Sequence, residues 1–133
     1  MEIILVAKGK YDTGKTTAIC HLKEFLLSEG AKTINTYKAV SNHDINMIVE
    51  YNGIKIGISS AGDPGLNQKE ILTVFIEMHC DIIICACRTR GTTKDEIFEC
   101  FDAEKIKFFL PGADGFISFE EMKEGLITAI GES

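Results

Sequence analysis

The hydrophobic and polar positions along this chain follow two periods, one typical of buried strands and the other of amphipathic helices. Continuous apolar runs of strand length cover residues 2–7 and 81–87, as expected for strands that are covered on both faces of a parallel sheet. Apolar residues recur at helical spacing over 14–29, with Leu22 and Leu26 on one stripe, and again over 66–79. Strands alternating with helices predict an α/β fold with crossover connections.

The remaining elements follow from turn and capping signals. Asn52-Gly53 predicts a two-residue hairpin turn between two alternating segments within 46–59, because both residues tolerate positive φ angles. Ser118 is predicted to open a closing helix, with Glu121 completing the capping pair. The other predicted elements are a strand over 33–40, a helix over 93–103 and a last strand over 105–110. The sheet is therefore expected to be mainly parallel with one β-hairpin.

The loop between the first strand and the first helix reads GKYDTGKT from Gly9 to Thr16. It satisfies the pattern G-x-x-x-x-G-K-[ST], with the required strand before it and helix after it. Glycines let the backbone curl so that successive N–H groups face an anion, and the helix N-terminus adds positive potential. A phosphate site is predicted, with a glycine-rich turn that matches by chance as the alternative. The predicted phosphate-binding residues are Gly9, Lys10, Tyr11, Asp12, Thr13, Gly14, Lys15, Thr16 and Thr17.

Through this complete Walker A motif the chain resembles the P-loop nucleoside triphosphate hydrolases. The resemblance implies a three-layer α/β sandwich that binds a nucleoside triphosphate and Mg²⁺ at the carboxyl ends of its strands. Lys15 would then reach the terminal phosphates, and the Thr16 hydroxyl would ligate Mg²⁺. Lys10, Tyr11 and Asp12 are variable positions in the family, so only their backbone groups are expected to contact phosphate.

A P-loop NTPase also needs an acidic residue near the metal. The stretch IKIGISSAGDPG, residues 54–65, resembles the second switch of small GTPases, with Ser59 in the slot of the motif's aspartate. Asp63 is therefore the candidate metal-shell or water-positioning carboxylate, and a turn that caps the next helix is the alternative. His43-Asp44 lies where an effector loop would lie in a switch protein, although a polar turn explains it equally well.

Both arginines of the chain, Arg88 and Arg90, directly follow the predicted strand over 81–87. This location is the carboxyl edge of the sheet, where the phosphates are expected. The guanidinium fork suits phosphate oxygens and would neutralise charge on a transferred phosphoryl group. A solvated loop with surface charge is the alternative interpretation.

Composition sets the broad class. A length of 133 residues with 45% hydrophobic content predicts one domain over 1–133. The net charge of -6 argues against a broad nucleic-acid or anionic-membrane surface. No apolar run approaches the roughly 20 residues that span a bilayer. Five cysteines without a C-x-x-C pair favour reduced thiols, so a cytoplasmic location is expected.

These observations predict an ATPase that binds Mg²⁺-ATP and hydrolyses it slowly, with Lys15, Asp63, Arg88 and Arg90 as candidate catalytic residues and Thr16 and Asp63 at the metal. ATP is favoured over GTP because the guanine-reading N-K-x-D pattern is absent. Two alternatives stay open: a small nucleotide kinase, and a non-catalytic switch module that responds to nucleotide. A protein partner, or a homodimer that supplies an arginine in trans, also stays open.

Overall fold

The computed structural model describes residues 2–39, 43–61 and 68–132. Within these ranges the chain forms six β-strands, four α-helices and one 3-10 turn. In chain order they are β1 (Ile3–Lys8), α1 (Lys15–Ser28), β2 (Lys32–Thr36), β3 (Asn46–Tyr51), β4 (Ile54–Ser59), α2 (Gln68–Glu77), β5 (Ile82–Cys87), α3 (Thr92–Cys100), the 3-10 turn (Ala103–Lys105), β6 (Ile106–Phe109) and α4 (Phe119–Glu132). The predicted α/β class is confirmed.

The six described strands form one sheet in the order β2-β3-β4-β5-β1-β6. Strands β4, β5, β1 and β6 pair in parallel, whereas the pairs β2–β3 and β3–β4 are antiparallel. The predicted hairpin is confirmed, with φ angles of 52° at Asn52 and 78° at Gly53. Because β5 lies between β4 and β1, the carboxyl end of β5 is the direct neighbour of the loop that follows β1. The end of β4 lies one strand further away.

Different helices cover the two faces of the sheet. On one face, Leu5 of β1 packs in a core with Leu22 of α1 and Leu126 of α4. On the other face, Val6 of β1 packs in a second core with Leu72 of α2 and with α3. Successive strand residues point to opposite faces, which explains why a strand covered on both sides reads as a continuous apolar run. The domain therefore has three layers, α/β/α.

The strand predicted over 33–40 is shorter in the structure and ends at Thr36. Beyond that residue, the backbone N–H of Tyr37 donates to the carbonyl oxygen of Asn46 at 2.8 Å. The side-chain amide of Asn46 donates to the carbonyl oxygen of Lys38 at 3.2 Å. The Asn46 side chain, rather than a backbone group, bonds to the segment after β2 at this point. The regular backbone hydrogen bonds between β2 and β3 therefore end here.

Two predicted helices also end earlier than expected. In the described part of the segment 66–79, the helix runs over Gln68–Glu77, and residues 66 and 67 lie outside the described ranges. His79 has a φ of 58°, a left-handed conformation that cannot continue a helix. The helix predicted over 93–103 ends at Cys100, because the extended backbone of Phe101 follows it.

The start of α4 agrees with the predicted capping signal. The hydroxyl of Ser118 accepts a hydrogen bond from the backbone N–H of Glu121 at 3.2 Å. At 14 residues each, α1 and α4 are the longest helices in the described ranges. No helix in this part of the chain is long and apolar enough to cross a membrane.

The contact between Gly57 of β4 and Phe75 of α2 leaves no room for a side chain on the strand. A Cβ atom built on Gly57 would lie 2.6 Å from Cγ of the fully buried Phe75 ring. We expect Gly57→Ala to lower the free energy of unfolding by about 1–3 kcal/mol, because overpacking forces the ring or the backbone to shift. Urea denaturation followed by circular dichroism measures this loss.

Two further variants test the cause of that loss. Gly131→Ala adds the same methyl group to α4, where no atom lies within 4 Å, and should leave stability unchanged or slightly raised. Adding Phe75→Leu to Gly57→Ala should cost less than the sum of the two single substitutions, because the smaller side chain makes room. Strict additivity would show that the ring is not the obstacle.

The five cysteines are free thiols, as the odd count predicted. Three of them are buried, and Cys20 and Cys100 are half-buried. Burial raises the pKa of every thiol, to about 11 for Cys80 and Cys87. The thiols are therefore protonated at neutral pH and contribute to the core as small apolar groups.

Candidate functional site

The glycine-rich loop between β1 and α1 adopts a conformation that its two outer glycines make possible. Gly14, which precedes the first residue of α1, has a φ of 77° and so lies in the left-handed region. A Cβ atom on Gly9 would lie 2.5 Å from the hydroxyl oxygen of Thr13. Side chains at these two positions would therefore strain or open the loop.

Hydrogen bonds hold the loop against its neighbours on both sides. The N–H of Gly9 donates to the carbonyl oxygen of Cys87 at the end of β5, at 3.1 Å. The hydroxyl of Thr13 donates to the carbonyl oxygen of Lys10 at 2.8 Å, which closes the loop on itself. The N–H of Ile117, in the segment before α4, donates to the carbonyl oxygen of Thr13 at 2.8 Å. The loop is therefore braced between β5 and the β6–α4 connection.

The beginning of α1 has the features of an anion site. No side chain caps this end of the helix in the described part of the chain, and the first turn contains no acidic residue. The first N–H groups of an α-helix have no partner within the helix, and together they carry a partial positive charge. Thr16 and Thr17 lie in this first turn, half-buried and exposed respectively.

Lys15 is buried, although it carries a positive charge. Its ammonium nitrogen Nζ donates a hydrogen bond to the carbonyl oxygen of Gly9 at 2.9 Å, so the side chain folds back across the loop. This ammonium group lies between a curled backbone and a helix N-terminus, a combination that is typical of phosphate-binding loops.

Asp44 is the carboxylate that the structure brings to the loop, whereas the sequence suggested only an effector loop or a polar turn at this position. Its Oδ1 accepts a hydrogen bond from the hydroxyl of Ser60 at 2.9 Å and a longer one from the hydroxyl of Thr16 at 3.5 Å. The register Asn46↔Ser59 places the start of β3 beside the end of β4. A residue that precedes an antiparallel strand therefore lies at the carboxyl edge of the parallel strands.

A signal for Asp44 was present in the chain. The Asn52-Gly53 turn determines the hairpin register, and extending that register by two residues places Asp44 opposite Ala61. The backbone hydrogen bonds between β3 and β4 continue beyond the pair Asn46↔Ser59, since the N–H of Ser60 donates to the carbonyl oxygen of Ile45 at 3.0 Å. The N–H of Ile45 in turn donates to the hydroxyl of Ser60 at 2.9 Å.

Ser59, which stands in the slot of the switch aspartate, has a structural role. It is fully buried, and its hydroxyl donates to Oδ1 of Asn46 on the paired strand at 2.7 Å. The sequence candidate for the missing carboxylate, Asp63, lies outside the described residues. In the described ranges, Asp44 is thus the carboxylate in contact with the Walker A threonine.

The two arginines differ in their relation to the loop. The guanidinium carbon of Arg88 lies 5.9 Å from the centre of the Tyr11 ring, so this side chain is adjacent to the glycine-rich loop. The N–H of Arg88 donates to the buried hydroxyl of Thr93 at 3.0 Å, which anchors the backbone after β5. Arg90 is exposed on the turn before α3. Within the described ranges, Arg88 is the arginine of the pair that contacts the loop.

Gln68, the first described residue of α2, is a second residue that the sequence did not single out. It is fully buried, and its Nε2 donates to the carbonyl oxygen of Ala86 in β5. Its Oε1 has no hydrogen-bond partner among the described residues. The Gln68 side chain thus bonds to β5 just beyond the part of that strand that pairs with β4. It also places a buried acceptor near the carboxyl edge of the sheet.

Lysine side chains surround the end of β5. Burial raises the pKa of the Cys87 thiol, while the positive charges of Lys8, Lys15 and Lys94 act in the opposite direction. Three ammonium groups thus add positive potential at the Cys87 thiol. An anionic ligand fits this field, although the chain as a whole is acidic.

The described residues contain no cluster of three or more His, Cys, Asp or Glu side chains that could hold a metal ion. A Mg²⁺ ion that binds together with nucleotide phosphates needs only one or two protein oxygens. The hydroxyl of Thr16 and the carboxylate of Asp44 provide oxygens of this kind, 3.5 Å apart.

Comparisons with protein-family models, curated proteins and solved structures found no match to this chain.

Proposed function

We propose that this protein binds a nucleoside triphosphate together with Mg²⁺, with ATP favoured over GTP, and hydrolyses it slowly. The observation that carries the proposal is the buried Lys15 ammonium, which bonds to Gly9 across a loop with Walker A spacing. A buried cation beside an uncapped helix N-terminus stabilises a bound polyphosphate. The resemblance to P-loop NTPases points to the same ligand.

In this proposal each part of the site has a separate task. The N–H groups of residues 9–17 and the Lys15 ammonium hold the phosphate oxygens. Arg88, adjacent to the loop through Tyr11, offsets the negative charge that develops on the terminal phosphate. Arg90 and Asp63 remain sequence-based candidates for the same step.

Thr16 and Asp44 are the residues that would hold Mg²⁺. When bound, the ion neutralises charge on the phosphate oxygens. Thr16 would supply a hydroxyl ligand, and Asp44 would help to hold the ion through its carboxylate. Ser59 is bonded to Asn46 and leaves this task to Asp44, which precedes the neighbouring strand β3, and we expect weaker metal positioning and slow turnover as a result.

Phosphoryl transfer to a small acceptor is the second candidate, and a cavity favours it. A cavity of about 310 Å³ lies between α1 and the strands β2 and β3, and Asp44 forms part of its wall. Lys23, Tyr37 and Asn46 add polar groups to the same wall. The volume suits a small molecule, and the shared Asp44 would place that molecule next to the metal.

Phosphorus NMR distinguishes these functions. The protein is incubated with Mg²⁺-ATP or Mg²⁺-GTP, with and without a mixture of nucleoside monophosphates. Accumulating inorganic phosphate without acceptor supports hydrolysis, whereas a new diphosphate signal only with acceptor supports the kinase. Broadened resonances of unchanged nucleotide would instead indicate a binding module. Sharp, unshifted ATP and GTP resonances at protein excess would refute nucleotide binding altogether.

A further inference from the structure

The most exposed large apolar side chains of the described residues are Tyr11, Leu110 and Phe116, at 65%, 57% and 55% exposure. All three lie in the phosphate loop or in the connection between β6 and α4 that braces it. An exposed aromatic side chain beside a nucleotide site offers a face on which a base can stack. The base of the bound nucleotide is the apolar, aromatic part of the ligand that would need such a surface.

Hydrogen bonds hold the backbone around Phe116, although its ring is exposed. Its carbonyl oxygen accepts a hydrogen bond from the N–H of Gly112, and its N–H donates to Oδ1 of Asp114, both at 3.0 Å. The next residue, Ile117, is bonded to Thr13 of the phosphate loop at 2.8 Å. The backbone on both sides of Phe116 is therefore positioned relative to the phosphates.

The Phe116 ring lies directly beside the phosphate loop. A Cβ atom built on Gly14 would lie 3.5 Å from Cδ1 of Phe116, which is van der Waals distance. The ring of Tyr11 differs, because the Arg88 guanidinium lies over it. Of the three exposed side chains, Phe116 is thus the aromatic ring beside the loop that has no cation over its face within the described residues.

We propose that the base of the bound nucleotide stacks on Phe116, and that this contact makes the site prefer purine nucleotides; the inference rests on the proposed function. Stacking on an aromatic ring accepts any base, but the larger π-surface of a purine makes the larger contact. The site needs no guanine-specific side chain to achieve this preference.

Isothermal titration calorimetry with two ligands, Mg²⁺-ATP and Mg²⁺-tripolyphosphate, tests the inference. Tripolyphosphate carries the phosphates without a base. We expect Phe116→Ala to weaken ATP binding about 10- to 100-fold, as for other stacked bases, and to leave tripolyphosphate binding unchanged. Phe98→Ala is the matched control, because Phe98 on α3 is 43% exposed and should affect neither ligand.

A second variant gives an independent spectroscopic result. The chain contains no tryptophan, so Phe116→Trp introduces a single indole, which can be excited selectively over the three tyrosines, at the proposed stacking position. Mg²⁺-ATP should quench its fluorescence strongly, Mg²⁺-CTP less strongly, and Mg²⁺-tripolyphosphate little.

The outcomes separate this inference from the proposed function. If the wild type binds tripolyphosphate and ATP, but Phe116→Ala binds ATP equally well, the stacking proposal is wrong and the phosphate site stands. An equal loss for both ligands would also overturn stacking, since it would mean a disturbed loop. If the wild type binds neither ligand, the proposed function fails and the base site fails with it.

Discussion

Replacing Lys15 by alanine is expected to reduce the affinity for Mg²⁺-ATP by ~100-fold or more and to abolish turnover. Charge-assisted hydrogen bonds contribute about 1.5–3 kcal/mol each, and a lysine at this position in a Walker A loop reaches two phosphates. About 3 kcal/mol corresponds to ~100-fold in affinity. Isothermal titration calorimetry measures the binding, and phosphorus NMR measures the turnover.

Lys10→Ala is the matched control for this change. Lys10 lies in the same loop and carries the same charge, but its side chain is exposed, and only its backbone is expected to contact phosphate. Equal losses for the two variants would mean that Lys15 acts through net charge rather than through its position. The melting temperature without nucleotide shows whether Lys15→Ala still folds, because the bond to Gly9 is lost as well.

Asp44→Asn is expected to lower the apparent affinity for Mg²⁺ in nucleotide binding and turnover by about 10- to 100-fold. This is the usual effect of losing a group that orients metal ligands. The substitution preserves an oxygen acceptor for Ser60 and Thr16, so the local hydrogen bonds can persist. A titration with Mg²⁺ at fixed ATP concentration measures the shift in the concentration that gives half-maximal activity.

When Mg²⁺ is chelated, Asp44→Asn is expected to change the affinity for ATP in the opposite direction. A carboxylate close to bound phosphates repels them unless a cation lies between, so Asp44→Asn should bind metal-free ATP as tightly as the wild type or more tightly. Asp102→Asn removes the same charge from an exposed position before β6, at the opposite edge of the sheet. Weaker binding of Asp44→Asn under both conditions would refute a role at the metal.

The glycine-rich loop between β1 and α1 could be predicted from the sequence because its conformation depends on local spacing, and its binding of phosphate stays a prediction. Glycine at position 9 avoids a contact with Thr13, and glycine at position 14 permits a positive φ angle, so both requirements arise within the loop itself. Lys15 follows Gly14 directly. The Asn52-Gly53 hairpin was predictable for the same reason, since a two-residue turn carries its own conformational signature. Such elements need no knowledge of the rest of the fold.

For Asp44 the local signal is incomplete: the hairpin register places it beside the end of β4, but only the strand order shows that this end lies near the loop. The search for a carboxylate after a strand led to Asp63, whereas Asp44 precedes a strand and reaches the site through the antiparallel hairpin. Gln68 and Phe116 show the same limitation. Their contacts, to β5 and beside Gly14, join segments that are far apart in the chain.

The sequence alone therefore determined the α/β class, the hairpin and the glycine-rich loop between β1 and α1, because hydrophobic period, turn chemistry and glycine spacing act over a few residues. The tertiary structure decided the insertion of β5 between β4 and β1, and with it the position of Arg88 beside the loop. It also decided that Asp44, rather than Ser59, contacts Thr16. Strand order and register depend on packing across both faces of the sheet, a property of the whole chain that no short segment encodes.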